Sequence, residues 1–165
     1  IYDSLSATSC TMAPGLYVLT GSTHLSGSTA IVAPGVTLYF VCGTQASPRA
    51  CNPAGEAGGD LIMTGGTTLT ISAPTGTAAN QGLSIVADRN NTSTFSFRGN
   101  GTQTNSGTIY APRGTLDIRG NGAANNLDSL VIVGNISFSG SNAAFQSTYN
   151  QGDNLTLSSD LHLSE

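Results

Sequence analysis

The stretch from Phe95 to Gly122, FSFRGNGTQTNSGTIYAPRGTLDIRGNG, begins and ends with nearly the same phrase. FSFRGNG starts at Phe95, LDIRGNG starts 21 residues later at Leu116, and a third version, ISFSGS, starts 20 residues after that at Ile136. In each version two apolar residues flank one polar residue, which is the alternation of a β-strand with one buried face. A period near 20 residues with short strands indicates a solenoid, in which each coil lies on the coil below.

A second phrase recurs between the versions of the first. Ile109-Tyr-Ala-Pro matches Ile71-Ser-Ala-Pro and Ile31-Val-Ala-Pro, so each period contains at least two strands joined by turns. No window places apolar residues at helical spacing. We therefore predict an all-β fold, a right-handed parallel β-helix with coils of roughly 20 residues. A β-sandwich is the alternative, because it also has short strands at regular spacing.

The repeats also predict which side chains stack inside the solenoid. The inward-facing pairs of three successive coils would be Phe95/Phe97, Leu116/Ile118 and Ile136/Phe138. The polar residues between them would point outward, and these are Ser96, Asp117 and Ser137.

The length of 165 residues predicts a single domain that spans residues 1–165. Segment 43–59 contains prolines and no apolar run, so we predict a loop inserted into the stack. The two ends, 1–11 and 146–165, lack the repeated phrases and are predicted to cap the stack, with Leu155-Thr-Leu and Leu161-His-Leu as a closing strand or hairpin. Poorly covered ends would allow end-to-end self-association.

The charge content excludes several classes of partner. Only 8% of the residues are charged, lysine is absent, and the net charge is −4. Nucleic-acid binding needs clustered cations, so we predict no nucleic-acid partner. No apolar run is long enough to span a membrane. Because the chain begins at Ile1 without Met, we expect a processed piece whose membrane contact depends on a missing upstream anchor.

Three cysteines, Cys10, Cys42 and Cys51, are the disulfide candidates. Cys42 and Cys51 flank a segment with Pro and Gly and could close a small loop, but Cys10 could also pair with either of them. A zinc site is disfavoured because no CxxC pair occurs and only His24 and His162 are available. A disulfide predicts an oxidising compartment, which indicates an extracellular or cell-surface location.

The acidic residues are scattered along the sequence, so we predict no catalytic residues, no metal, no cofactor and no enzymatic activity. The one charge cluster that the repeats bring together is Arg98, Asp117 and Arg119. It has two interpretations. It is either a solvated ion pair of small energetic weight, or a clamp that binds an anionic sugar or a partner surface.

The order of several phrases resembles a known family. These phrases are Pro14–Tyr17, Gly35–Tyr39, Leu69–Pro74, Gly82–Arg89 and Gly107–Pro112. Over about residues 12–145 the chain resembles the extracellular C-terminal region of TadG-like proteins, which are membrane-anchored accessories of Flp-type (tight adherence) pilus systems in bacteria. The resemblance implies a role in adhesion at the cell envelope and carries no catalytic residues over.

Together these observations predict a non-enzymatic extracellular structural or adhesive module of a bacterial surface or Tad-type pilus system. Its expected partners are other pilus or envelope proteins, or surface glycans. One alternative is a carbohydrate-active β-helix enzyme, since this fold is a common frame for polysaccharide lyases and hydrolases. A minor alternative is an ice-binding protein, with Thr67, Thr68 and Thr70 as a flat hydroxyl patch.

Overall fold

The structure is a computed structural model, and it describes residues 1–7, 9–77, 79–120, 124–140, 144–147 and 150–155. Strands alone form the regular structure of these residues, and none of the described segments contains a helix that could cross a membrane. Every ladder between described strands is parallel except one short hairpin. The predicted parallel β-helix is therefore confirmed, and the β-sandwich is excluded because its sheets are antiparallel.

The strands follow one another in coils. The first coil contains β1 (Ser9–Thr11), β2 (Gly15–Leu19) and β3 (Ser22–Leu25). The second contains β4 (Ala30–Ala33), β5 (Val36–Phe40), the hairpin of β6 (Cys42–Thr44) and β7 (Ser47–Arg49), and β8 (Asp60–Met63). The third contains β9 (Thr68–Ser72), β10 (Leu83–Ala87) and β11 (Thr94–Arg98). The later coils contain β12 (Gln103–Ser106), β13 (Thr108–Arg119), β14 (Ala124–Asp128), β15 (Val131–Ser139) and β16 (Ala144–Ser147).

The stacked strands build three faces. Face one is β2-β5-β10-β13-β15, face two is β3-β8-β11-β13-β15, and face three is β1-β4-β9-β12-β14-β16. Strands β13 and β15 contribute to two faces, and the register between them shifts between Ala111 and Thr115 of β13. Before this shift β13 pairs with β10, and after it β13 pairs with β11.

The predicted stacking of the repeated phrases is confirmed by the register of face two. Phe95 lies opposite Leu116, and Phe97 lies opposite Ile118. In the next coil Leu116 lies opposite Ile136, and Ile118 lies opposite Phe138. The first four side chains are buried, whereas Ile136 and Phe138 are 44% and 47% exposed. These two were expected to be inward-facing core residues. They continue the rows, but they lie in the last described coil of face two.

The interior of the stack is filled by side chains from all three faces. Phe40 of face one meets Phe95 of face two edge to face, with ring centroids 5.2 Å apart. The largest fully buried side chains are Phe40, Phe95, Leu19, Ile31, Leu38, Leu61, Leu69, Ile71, Ile85, Ile109, Leu116 and Ile118. A single coil cannot bury such a set alone, so each coil depends on its neighbours.

The Gly-Asn-Gly part of the repeated phrase forms a corner where two coils approach closely. Gly99 has a φ of +108°, which side-chain-bearing residues rarely adopt. A Cβ atom at Gly101 would overlap the backbone carbonyl of Thr67 in the coil below. The repeated phrase therefore needs glycine for its backbone geometry. Arg98 contributes its charged side chain.

The inserted segment 43–59 lies between β5 and β8, as predicted, but it is more ordered than a plain loop. It contains the antiparallel pair β6–β7, and Cys42 is disulfide-bonded to Cys51. Cys10 is a free, exposed thiol. Buried Asn91 fastens the insertion to the stack, because its Nδ2 donates to Gly59 O at 2.9 Å and its Oδ1 accepts from Gly58 N at 3.0 Å.

The two predicted caps have different outcomes. Tyr2 N donates to Val18 O at 2.8 Å, so the first residues lie on coil one. Residues 9–11, however, form β1 and belong to the stack itself. At the other end, Leu155 N donates to Thr108 Oγ1 at 2.9 Å, which places 150–155 along the side of the stack. Residues 156–165, which hold most of the predicted closing strands, lie outside the described residues.

Leu116→Ala should lower the free energy of unfolding by about 2–5 kcal/mol, because it removes a fully buried side chain between two neighbouring coils. Ile136→Ala, in the same row, should cost about 1 kcal/mol or less because the side chain is already half exposed. Denaturant unfolding of both variants measures the difference. Equal losses would contradict the assignment of the two positions.

Under denaturing, non-reducing conditions the chain should show one reactive thiol, and Cys10→Ser should show none. A thiol-titration assay measures both. Reduction of the Cys42–Cys51 bond should lower the free energy of unfolding by about 2–3 kcal/mol, because it closes a loop with a sequence separation of 9. A second reactive thiol in the native, unreduced protein would contradict the pairing.

Candidate functional site

Arg98, Asp117 and Arg119 meet on the outer side of face two. Strands β11 and β13 are adjacent and in register, with Ser96 opposite Asp117 and Arg98 opposite Arg119. Arg98 Nη2 lies 3.1 Å from Asp117 Oδ2, and Arg119 Nε lies 2.8 Å from the same oxygen. Ser96 Oγ also donates to Asp117 Oδ2, at 2.9 Å. The sequence prediction that these three charged residues come together is confirmed by the geometry.

Of the two interpretations of this cluster, the solvated ion pair does not match the burial of its carboxylate. The side chain of Asp117 is only 3% exposed, while those of Arg98 and Arg119 are 44% and 52% exposed. The side chain of Asp117 projects from the outer side of the strand, as predicted, but the side chains of Arg98 and Arg119 cover it. Burial opposes its ionisation, yet the hydrogen bonds from Arg119, Ser96 and Arg98 and the charge of Arg119 hold the pKa of Asp117 below its usual value.

The cluster has one carboxylate for two guanidinium groups, so it carries a net positive charge. Both arginines border a shallow depression of about 320 Å³, which is also lined by Asn100 and Ser139 and by glycines of the corner. Half-exposed guanidinium groups can still donate hydrogen bonds to an anion. The cluster can therefore both hold two coils together and contact an anionic group from solution.

A second surface, the apolar groove, lies on the outer side of face one. It is defined by Leu16, Tyr39, Leu83, Val86 and Tyr110, together with polar residues at its edge, and has a volume of about 380 Å³. The polar residues at the edge are Thr37, Asn80, Asp88 and Arg89. An apolar lining with a few polar groups at one side is typical of a ligand site.

Tyr39 and Asp88 are coupled at this edge. Asp88 is buried, and its Oδ1 accepts from Cys51 N at 3.2 Å and from Asn90 N at 3.0 Å. The Tyr39 hydroxyl lies 3.5 Å from Asp88 Oδ2. Burial, the charge of Asp88 and this contact raise the pKa of Tyr39 above its ordinary value, so the phenol stays protonated. The disulfide loop therefore helps to support the edge of the groove.

Sequence reasoning missed the apolar groove, although a signal for it was present. In Thr37-Leu-Tyr-Phe40 the inward residues are Leu38 and Phe40, so alternation places Tyr39 outside. An aromatic residue at an outward position in a surface otherwise rich in Ser and Thr is the informative feature.

The threonine patch is rearranged relative to its prediction. Thr67 is buried and donates to Thr64 O, so it is not part of a surface. Thr70 is exposed and lies opposite Thr104 of the next coil, so hydroxyl rows extend over these two coils of face three. In the coil before them Val32 occupies the same row and interrupts it.

Inward-facing polar residues on face three were not expected. Gln103 and Asn105 stack on Leu69 and Ile71 inside the solenoid. Asn105 Nδ2 donates to Ser129 Oγ at 2.6 Å, but both amide atoms of Gln103 lack a hydrogen-bond partner. Gln103 borders a cavity of about 10 Å³, which has room for about one water molecule.

Among the described residues no group of three or more His, Cys, Asp or Glu side chains could hold a metal ion.

Arg98→Ser and Arg119→Ser should each cost about 1 kcal/mol or less in the free energy of unfolding, because the remaining arginine still pairs with Asp117. The double variant should cost more than the sum of the two single variants, because it leaves Asp117 without either cation. A double-mutant cycle by denaturant unfolding measures this coupling. Additive single effects would contradict the shared role.

The pH dependence provides the matched control. Since the pKa of Asp117 is lowered by folding, its contribution to stability is present above the unfolded-state pKa of about 3.9 and is lost as the pH falls through the folded value. The difference in free energy of unfolding between the unmodified chain and Asp117→Asn should therefore shrink below about pH 4. A difference that does not change with pH would contradict the assignment.

Comparisons of the chain with protein-family models, with curated proteins and with solved structures found no match. The resemblance to TadG-like proteins therefore stays an expectation from the order of the sequence phrases. The described residues place a cationic cluster on face two and the apolar groove on face one.

Proposed function

We propose that this chain is a non-enzymatic extracellular module that gives a bacterial surface, or a Tad-type pilus system, a rigid adhesive element. One observation carries the proposal, which is the parallel pairing of strands from coil to coil along the described part of the stack. This register aligns outward side chains in rows along the stack, and such extended surfaces are what solenoid proteins use for binding. The partners would be surface glycans or other pilus or envelope proteins.

The disulfide supports the proposed location. Cys42 and Cys51 are bonded, and such bonds persist in oxidising environments outside the cytosol. The resemblance to the extracellular region of TadG-like proteins favours the same location. The outer surface is also suited to exposure, because hydroxyl and amide groups provide most of its polarity and only 8% of the residues are charged.

The two alternatives receive less support from the described geometry. A glycoside hydrolase needs a pair of carboxylates across one bond, whereas Asp117 is covered by two arginines and Asp88 accepts hydrogen bonds from two backbone amides. An ice-binding surface needs hydroxyl rows over many coils, whereas the rows of Thr70 and Thr104 span two. We therefore advance the adhesive module.

Fab fragments raised against the purified chain should label intact cells of the organism that encodes it, and should reduce the adhesion of these cells to glycan-coated surfaces. Adhesion is counted under flow, with Fab fragments from pre-immune serum and a deletion strain as controls. Labelling that requires permeabilised cells would contradict the location. Unchanged adhesion in the deletion strain would contradict the adhesive role.

The purified chain should release no reducing ends from a panel of acidic and neutral polysaccharides. This measurement separates the module from the carbohydrate-active enzyme. Release that disappears on Asp88→Asn or Asp117→Asn would establish catalysis and overturn the non-enzymatic part of the proposal.

A further inference from the structure

We propose that the apolar groove on face one binds an acidic polysaccharide chain, which lies along the axis of the stack with a carboxylate on Arg89. The inference deepens the adhesive function proposed above and rests on it for its biological setting. It names the site and the class of glycan. The site is distinct from the cluster of Arg98, Asp117 and Arg119, which lies on face two.

The first step is a row of side chains that runs the length of face one. The register places Val18 beside Tyr39, Tyr39 beside Val86, Val86 beside Tyr110, and Tyr110 beside Ile132. All five are half-buried residues between the inward-facing positions of their strands. Neighbouring strands are about 4.8 Å apart, so the row is about 19 Å long. An apolar strip of this shape fits an elongated ligand better than a compact one.

The second step is the spacing of the two aromatic rings. Tyr39 and Tyr110 lie in β5 and β13, which are separated by β10, so their backbones are about 9.6 Å apart. This distance is on the scale of two pyranose units. Tyrosine offers an apolar ring and a polar hydroxyl, which suits a sugar whose faces are apolar and whose edges carry hydroxyl groups. The spacing therefore suits a linear glycan that presents alternate rings to the two tyrosines.

The third step is the polar edge. Asn80 Nδ2 donates to Thr37 Oγ1 at 2.7 Å, which orders the amide beside the groove. Asp88 is held by the backbone amides of Cys51 and Asn90, so its carboxylate is fixed rather than mobile. Fixed polar groups beside an apolar strip are the arrangement that orients a ligand in a site.

The fourth step is the charge of Arg89, which decides between neutral and acidic glycans. The other four arginines are engaged, since Arg49 pairs with Glu56, Arg98 and Arg119 share Asp117, and Arg113 donates to Pro53 O. Arg89 is exposed at the edge of the groove and makes no hydrogen bond or ion pair with the described residues. Guanidinium groups bind carboxylates in a two-pronged geometry, so this cation is complementary to a uronate.

The matched probes are β-1,4-linked mannuronate hexamer and β-1,4-linked mannohexaose, which differ only in the carboxylate. Binding to the purified full chain is measured by titration calorimetry and by changes in tyrosine fluorescence. We expect the mannuronate hexamer to bind about tenfold more tightly than mannohexaose, as a charge-assisted hydrogen bond implies. Arg89→Ser should remove this preference, and Tyr110→Ser should weaken both ligands by about tenfold.

Arg113→Ser and Tyr2→Ser are the matched controls, because they alter an arginine and a tyrosine outside the groove, and both should leave affinity unchanged. Equal affinity for the two hexamers, or no binding of either, would overturn the inference. Loss of binding on Arg98→Ser would move the site to face two and overturn it as well. Cell adhesion that survives these results would leave the proposed function standing without this site.

Discussion

The parallel register between coils is the constraint on which the rest of the structure depends. A single coil exposes too much apolar surface to be stable, and only the coils on either side can cover it. Phe95 and Leu116 therefore occupy the same position in successive coils, and Phe97 and Ile118 do the same. The same register sets the outer surface. Side chains alternate between the two faces of a strand, so the outward residues of successive coils also stack in rows.

The arginine cluster shows how this register turns a surface charge into a structural one. Asp117 and Ser96 are outward residues of adjacent coils, and the register brings them within hydrogen-bond distance. The arginines two positions further along each strand then cover the carboxylate, and both remain half exposed. Removing one arginine leaves the carboxylate compensated, whereas removing both leaves it without a cation. The energetic weight of the cluster therefore belongs to the three residues together.

The stacking of the later coils could be predicted because the phrases that start at Phe95, Leu116 and Ile136 repeat at offsets that equal the length of a coil there. The offset of 21 residues between Phe95 and Leu116 is also their pairing in the sheet. The repeats could not predict three features that occur once among the described residues. These are the register shift within β13, the β6–β7 hairpin and the inward-facing Gln103. At the candidate site the sequence brought the three charged residues together. It could not show the burial of Asp117, which depends on the conformation of two long side chains.

The apolar groove poses a question of charge, since the chain has a net charge of −4 and its proposed ligand is also anionic. Net charge acts over long distances and is screened beyond about 8 Å at physiological ionic strength, so a bound carboxylate responds mainly to its nearest partners. Asp88 borders the groove, but it is buried and surrounded by donors from Cys51, Asn90 and Tyr39. Arg89 is exposed beside it and has no competing partner in the described chain. The local field at the edge of the groove can therefore favour an anion on a protein that is acidic as a whole.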